Sequence, residues 1–124
     1  MATDWPGHFC PSCGAPQTAF PRYPWYLCSD CRGRTHDRDG NRIEFFNAHL
    51  FGGLGFRFAG EAQFWEIRSA ICLVTRRPVL VSEARFGGVV VEPLPDRVFD
   101  FEQVTDMRRP GWRDRLPEPS GSRP

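Results

Sequence analysis

Two Cys-x-x-Cys pairs constrain the fold of this chain more than any other feature of its sequence. Cys10 and Cys13 form the first pair, Cys28 and Cys31 form the second, and 14 residues separate the pairs. Four thiolates complete the tetrahedral shell of a Zn²⁺ ion and leave no position for water. The spacing therefore predicts a closed zinc site whose role is structural, replacing a hydrophobic core in a segment too short to build one.

A glycine closely follows each pair. Gly14 comes directly after the first pair, and Gly33 comes two residues after the second. Glycine adopts positive φ angles at little cost, which lets a backbone turn beneath metal-bound sulfurs. We expect both glycines to serve this purpose.

The sequence Cys10-Pro-Ser-Cys-Gly14 resembles the CPxCG knuckle of zinc ribbons and rubredoxins, and Cys28-Ser-Asp-Cys-Arg-Gly33 is similar to the second knuckle of a ribbon. The resemblance covers about the first third of the chain and implies only the four cysteines as ligands. Zinc ribbons occur in transcription and translation factors, in enzyme subdomains and in adaptor proteins, so the resemblance implies a fold element and leaves the function open.

Rubredoxins bind iron in a similar shell and transfer electrons. The present sequence departs from their pattern, because its knuckles lie closer together and the second lacks the CPxCG form. Zinc is therefore the expected metal, and a rubredoxin-like electron carrier containing iron is the minor alternative.

The composition favours a β-rich, turn-rich protein. The chain has 124 residues, of which 40% are hydrophobic and 14% aromatic, with 12 glycines and 12 prolines. All 16 basic residues are arginine, which excludes chemistry that depends on a Schiff-base or P-loop lysine. A formal charge of +1 gives no general attraction to a polyanion or to a membrane surface.

The first nine residues are polar, and no apolar run approaches the roughly 20 residues that span a bilayer. These features predict no membrane association and a cytoplasmic location, where thiols stay reduced and bind metal. Cys72 lies in an apolar run and is expected to be a buried hydrophobic residue.

The predicted fold is mainly β, with one short helix as an option. A zinc ribbon is expected over residues 1–46, a small domain with an antiparallel sheet over 47–107, and a disordered, flexible tail over 108–124. The glycine-rich stretch 47–60 is expected to form a bend between the first two parts.

Alternating and continuous apolar patterns predict the strands of the second part. Residues 61–71 fit both a helical stripe and a strand, and we favour the strand. The apolar run from Ile71 suggests a central strand that is buried on both faces. The predicted strands are Ile71–Thr75, Val79–Ser82, Val89–Val91 and Val98–Glu102. No activity can be attached to the run over residues 83–88.

The segment Asp37-Arg-Asp-Gly40 is expected to form a hairpin turn, since Asp-Gly between extended segments favours one. A calcium loop would also use Asp37, Asp39 and Asn41. It does not fit, because the glycine comes two positions too early and Ala48 stands where such a loop needs glutamate.

An enzyme is the less favoured class of function. The sequence has no nucleophile elbow, P-loop or zincin motif. His36 is expected to be solvated near the hairpin turn, and His49 to be packed. Catalysis by paired carboxylates would require Glu83 to converge with Glu92, or Asp100 with Glu102.

The abundance of aromatic residues beside arginine favours a binding role. The preferred hypothesis is a non-catalytic, zinc-stabilised module that binds another protein, of the adaptor or toxin-neutralising type. The alternative is a zinc ribbon that binds nucleic acid by clamping phosphates and stacking bases. The candidate nucleic-acid contacts are Arg32, Arg34, Arg38, Arg42, Trp25 and Tyr26.

Overall fold

The computed structural model describes residues 7–18, 26–49, 52–84, 88–100 and 102–123. The described chain is mainly β, which confirms the predicted fold class, and its one α-helix is a single turn, α1. The strands are β1 (Gly7–Phe9), β2 (Pro16–Thr18), β3 (Ile43–His49), β4 (Gly52–Phe58), β5 (Gln63–Ile67), β6 (Ser69–Val74), β7 (Arg77–Glu83), β8 (Val89–Pro93), β9 (Thr105–Asp106) and β10 (Gly121–Ser122), and α1 spans Ser29–Arg32.

The strands form one two-stranded and two four-stranded sheets. Strands β1 and β2 pair as a hairpin around the first knuckle. The first large sheet has the order β10-β5-β4-β3, and the second has the order β8-β7-β6-β9. All neighbouring strands are antiparallel except β6 and β9, which are parallel. The second sheet is therefore mixed, whereas a purely antiparallel one was expected.

The hydrophobic core lies between the inner faces of the two large sheets. Phe56 of β4 is fully buried and stacks on Trp65 of β5, with ring centroids 5.4 Å apart. Val81 of the second sheet and Met107 belong to the same cluster. Burying such side chains contributes about 1.5–3 kcal/mol each, so this cluster is the main source of stability for the sheets.

Strand β6 confirms the prediction of a strand buried on both faces. Ala70, Ile71 and Cys72 follow one another in it, and all three are 0% exposed. Residues 63–67 and 69–74 are strands, so the reading of 61–71 as extended chain is also confirmed.

The turn between β6 and β7 differs from the connection over residues 76–78 that the predicted strands Ile71–Thr75 and Val79–Ser82 imply. It is formed by Thr75 and Arg76, both with positive φ (47° and 66°), and Val74 pairs with Arg77. Positive φ at both central residues is typical of the tight two-residue turns that match strand twist. The turn comes one residue earlier than expected, because Pro78, although proline is a typical turn residue, lies in β7.

The glycine-rich stretch 47–60 is not a bend between two parts of the chain. Most of its described residues belong to β3 and β4, which pair antiparallel from Ile43↔Phe58 to His49↔Gly52. Its glycines permit close packing: a Cβ atom on Gly55 would lie 2.6 Å from the Phe46 ring. The boundary proposed at residue 46 falls inside β3, and the division into domains stays a prediction.

The predicted strand over 98–102 is wrong for its described residues, which are 98–100 and 102. Residues 98–100 have no regular structure, and Val98 is 97% exposed. Glu102 N–H donates to the Asp100 carboxylate at 3.0 Å, which is a turn contact. The alternation of apolar and acidic residues therefore occurs in a loop. The nearby strand is β9, which begins at Thr105.

The expected disordered tail is wrong for residues 108–123. Trp112 is 5% exposed and packs on the rings of Phe56 and Phe58 in the core. Farther along, β10 pairs with β5 and extends the first sheet. Few apolar residues are needed to dock this segment, because one tryptophan buries a large area.

Candidate metal centre

The first knuckle is a tight turn that connects β1 to β2. Cys10 N–H donates to the Ala15 carbonyl at 2.8 Å, and Gly14 N–H donates to the Cys10 carbonyl at 2.8 Å. Gly14 has a φ of +81°, a conformation that residues with a Cβ rarely adopt. The expectation for this glycine is confirmed.

The second knuckle is built differently, because its cysteines bracket the start of α1. Cys28 is the N-cap, and its carbonyl accepts the N–H of Arg32 at 2.9 Å. Gly33 caps the C-terminal end with a φ of −70°. This glycine is in ordinary helical conformation, so the expected positive φ is wrong here.

The four cysteines meet at one point. Their sulfur atoms all lie within 4.8 Å of one another, and the Sγ atoms of Cys13 and Cys28 are 3.6 Å apart. A Zn–S bond of about 2.3 Å places the sulfurs of a tetrahedral shell about 3.8 Å apart. The donor set and its spacing therefore fit a tetrahedral thiolate-bound metal such as Zn²⁺.

Backbone amides favour the thiolate form of Cys10. Burial opposes ionisation, but N–H groups of Cys28, Cys13 and Ser12 directed at the sulfur outweigh it and lower the pKa of Cys10 from 9.0 to about 6. Two of these contacts, from Ser12 and Cys28, are 3.4 Å long. Cys10 is therefore ready to bind a metal at neutral pH.

Cys31 shows the opposite behaviour. Burial is the main cause that raises its pKa from 9.0 to about 12, and the neighbouring cysteines add to the effect. A cation held among the four sulfurs would offset this penalty by pairing with the charges as they form. Metal binding at neutral pH would then require loss of the Cys31 proton, so metal affinity is expected to rise with pH.

The site has a buried side and an exposed side. Cys10 and Cys31 are 2% and 1% exposed and belong to the hydrophobic core, whereas Cys13 is exposed and Cys28 half-buried. Leu27, next to the second knuckle, donates its N–H to the Val91 carbonyl of β8 at 2.7 Å. The metal centre is therefore joined to the edge of the second sheet.

Four candidate nucleic-acid contacts are exposed arginines. Arg32 Nη1 donates to the Val89 carbonyl at 3.0 Å. Arg38 lies 3.7 Å from the Asp39 carboxylate. Arg42 lies 4.0 Å from the carboxylate of Glu44. Of these arginines, Arg32 and Arg42 line one groove.

The remaining candidates of that set are less informative. Arg34 is exposed, and Tyr26 is half-buried. Trp25 lies outside the described residues. A role for the set in binding nucleic acid stays a prediction.

The turn over 37–40 is confirmed and contains a residue whose importance the sequence did not reveal. Asp37 is 1% exposed. Its carboxylate accepts the N–H groups of Asp39 and Asn41 at 2.9 Å each, and the Trp112 indole N–H at 3.2 Å. The last bond spans 75 residues, so only the fold could show that this turn anchors the C-terminal segment.

His36 is a structural residue and is not freely solvated as expected. Its Nδ1 lies 2.7 Å from the Asp37 carbonyl, and its Nε2 lies 3.4 Å from the Arg76 backbone nitrogen. The expected packing of His49 is not found: it is exposed and pairs with Glu66 at 2.7 Å.

Glu83 and Glu92, one of the carboxylate pairs considered for catalysis, do not converge. Across the second sheet Glu83 pairs with Val89, while Glu92 pairs with Leu80. The register places the two glutamates about three residues apart along the strands, which is about 10 Å, and on opposite faces. In the run over 83–88, of which residues 85–87 lie outside the described part of the chain, the Ala84 N–H donates to the Gly88 carbonyl at 3.0 Å.

Comparisons of the chain with known protein families, with curated proteins and with solved structures found no match. Among the described residues, no helix has the length and apolar character needed to cross a membrane.

Proposed function

We propose that the protein is a zinc-stabilised, non-catalytic module that binds another protein. The convergence of four sulfur atoms within 4.8 Å of one another is the observation that carries the metal-dependent part of this proposal. Four thiolates occupy every position of a tetrahedral shell, so the ion has no site for a substrate or an activated water. Its role is then to hold the two knuckles together.

An arginine–aromatic pair at the surface supports a protein partner. The guanidinium of exposed Arg123 lies 4.0 Å from the centre of the half-buried Phe46 ring. Arginine and aromatic residues are enriched in protein interfaces, where they contribute much of the binding energy. The near-neutral charge of the chain also favours a protein over a polyanion.

Native mass spectrometry of the full chain, purified from its own host, tests the metal-dependent part. The expected mass corresponds to one zinc per chain, which is lost after replacement of Cys31 with serine. A coloured protein with one iron and a reversible redox wave would contradict the proposal and support an electron carrier.

Cross-linking in the host, followed by rebinding of the purified partner, tests the protein-binding part. The expected result is a stoichiometric complex that survives nuclease treatment and changes little with salt. A complex that nuclease destroys, or an affinity that falls steeply with salt, would instead indicate nucleic acid.

A further inference from the structure

The four outer edges of the two large sheets are not protected equally. Two of the edge strands, β9 and β10, are only two residues long. The edge of β8 is covered by the segment around the second knuckle, through the bonds of Leu27 N–H to the Val91 carbonyl and of Arg32 to the Val89 carbonyl. Proteins usually cover or shorten edge strands because open edges pair with other chains.

Strand β3 is the exception. It is seven residues long, and among the described residues the backbone bond that covers its outer edge lies at its start, where Ile43 N–H donates to the Thr35 carbonyl at 2.9 Å. In an antiparallel pair, alternate residues direct both backbone groups away from the neighbour. Ile43 does so, and therefore Phe45 and Asn47 do as well.

The outward backbone groups of Phe45 and Asn47 have no hydrogen-bond partner within the part of the chain that the structure describes. They face a groove of about 560 Å³ between β3, α1 and the start of β8, which we call the β3–β8 groove. This volume lies within the range of about 300–1,000 Å³ that is common for binding sites. The Asn47 side chain accepts the Gly88 N–H at 3.1 Å and closes one end of it.

The charge of the β3–β8 groove is positive. Its lining includes Arg32, Arg42 and one acidic residue, Glu44. The Glu44 carboxylate is already paired with Arg57 Nε at 2.8 Å. Arg42 is 4.0 Å from the same carboxylate with a side chain that is 61% exposed, and Arg32 contacts a neutral carbonyl. Two arginine charges are therefore left for an acidic ligand.

We infer that an extended, acidic segment of a partner protein binds in the β3–β8 groove by adding a strand to β3. The inference rests on the proposed function and names the surface by which the module would hold its partner. Backbone hydrogen bonds to Phe45 and Asn47 supply affinity, and Arg32 and Arg42 select acidic side chains. The zinc site fixes one wall of the groove, because α1 carries Cys31 and Arg32 together.

The test uses the zinc-loaded full chain and a capped octapeptide in which valine alternates with aspartate. Titration calorimetry should show binding, and the amide protons of Phe45 and Asn47 should exchange more slowly in its presence. The same peptide with N-methylated backbone amides should bind more than about 20-fold more weakly, because at least two hydrogen bonds are lost. This control leaves the protein unchanged.

A matched pair of variants locates the strand on β3. Asn47→Pro removes an outward N–H and should weaken peptide binding about fivefold, whereas Asn47→Ala keeps that N–H and should change it less than twofold. Arg32→Gln and Arg42→Gln should each weaken binding about threefold, while exposed Arg68→Gln should have no effect. Melting temperature and zinc content confirm that each variant is folded.

Absence of binding by the acidic peptide, equal binding of its N-methylated form, or equal effects of the two Asn47 variants would each overturn the inference. Tighter binding of an eight-nucleotide uridine RNA would overturn it in favour of nucleic acid. If the peptide fails while a cross-linked protein partner rebinds elsewhere, the inference falls and the proposed function stands. If no protein partner rebinds at all, the proposed function falls with it.

Discussion

Different interactions stabilise the two regions of the molecule. One region is the cysteine segment, whose described residues are 7–18 and 26–36, and the other is the pair of large sheets. The described residues before β3 form two strands of three residues and one helix of four, with few apolar side chains in the core. The sheets bury a continuous cluster centred on Phe56, Trp65 and Val81. Short elements of this kind bury too little to offset their loss of conformational entropy, so we expect a bound metal to supply the difference.

The two regions are nevertheless in contact. Besides the bond from Leu27 to Val91, the backbones of His36 and Leu73 exchange hydrogen bonds of 2.9 Å in each direction. The cysteine segment thus covers an edge of the second sheet and also reaches β6. Losing the metal should expose that edge while the core between the sheets stays intact.

The largest expected effect comes from removing one metal ligand. Cys31→Ser should abolish stoichiometric zinc binding and unfold the cysteine segment, since zinc contributes roughly 10–16 kcal/mol of apparent binding free energy in small zinc modules. Metal analysis and near-UV circular dichroism provide the measurement. The control is Cys72→Ala, which removes a buried thiol from the sheets. Loss of zinc from the Cys72→Ala protein would contradict the claim that the two regions are stabilised by different interactions.

Truncating a side chain at the centre of the core should destabilise the sheets, just as removing a metal ligand should destabilise the cysteine segment. Phe56→Ala should lower the free energy of unfolding by about 3–5 kcal/mol, because a fully buried aromatic ring leaves a cavity. Denaturant titration of the zinc-loaded protein measures this change. Val98→Ala, at a side chain that is 97% exposed, should change stability by less than about 0.5 kcal/mol. Equal effects of the two substitutions would contradict the described core.

The buried carboxylate of Asp37 is expected to have the next largest effect. Asp37→Ala leaves the Trp112 indole N–H and two backbone N–H groups without their acceptor, which should cost about 1–3 kcal/mol. Thermal unfolding followed by tryptophan fluorescence reports on the docking of Trp112. The control Asp39→Ala removes an exposed carboxylate from the same turn and should leave the stability nearly unchanged. Comparable losses of stability in both variants would show that the indole contact is unimportant.

The smallest expected effect distinguishes the two knuckles. Gly14→Ala should destabilise the zinc-loaded protein by about 1 kcal/mol, because alanine is strained at a φ of +81°. Gly33→Ala should be neutral or slightly stabilising, since the φ of Gly33 is −70° and a Cβ there would meet atoms no closer than 3.5 Å. Melting curves of both variants measure this difference. A larger drop in melting temperature for Gly33→Ala than for Gly14→Ala would contradict the helical second knuckle.

Features that depend on residues close together in the chain could be predicted from the sequence. The cysteine cluster follows from two Cys-x-x-Cys pairs, and the turn at Asp37 follows from Asp-Gly. Strand identity was also predictable for Ile71–Val74, where an apolar run leaves little choice. Gly14 and Gly33 show the limit of this reasoning, because the same residue follows both pairs while the backbone beneath each pair differs.

Features that depend on contacts between distant parts of the chain could not be predicted from the sequence. The bond from Asp37 to Trp112 joins a turn to a segment that looks too polar to dock. The β3–β8 groove brings Arg32, Arg42 and Val89 together from three separate parts of the chain, and no local pattern predicts that. Residues 98–100 alternate like a strand but pair with no strand in the described ranges of the chain.

Hydrogen–deuterium exchange, followed by mass spectrometry on the zinc-loaded and the chelated full chain, tests the central claim most directly. If zinc holds the cysteine segment and burial holds the sheets, chelation should remove protection from residues 7–18 and 26–36 while β4, β6 and β7 stay protected. Partial loss is expected along β8, whose edge the cysteine segment covers. Unchanged protection of residues 26–36 after chelation, or complete loss of protection in β4 and β6, would contradict this account.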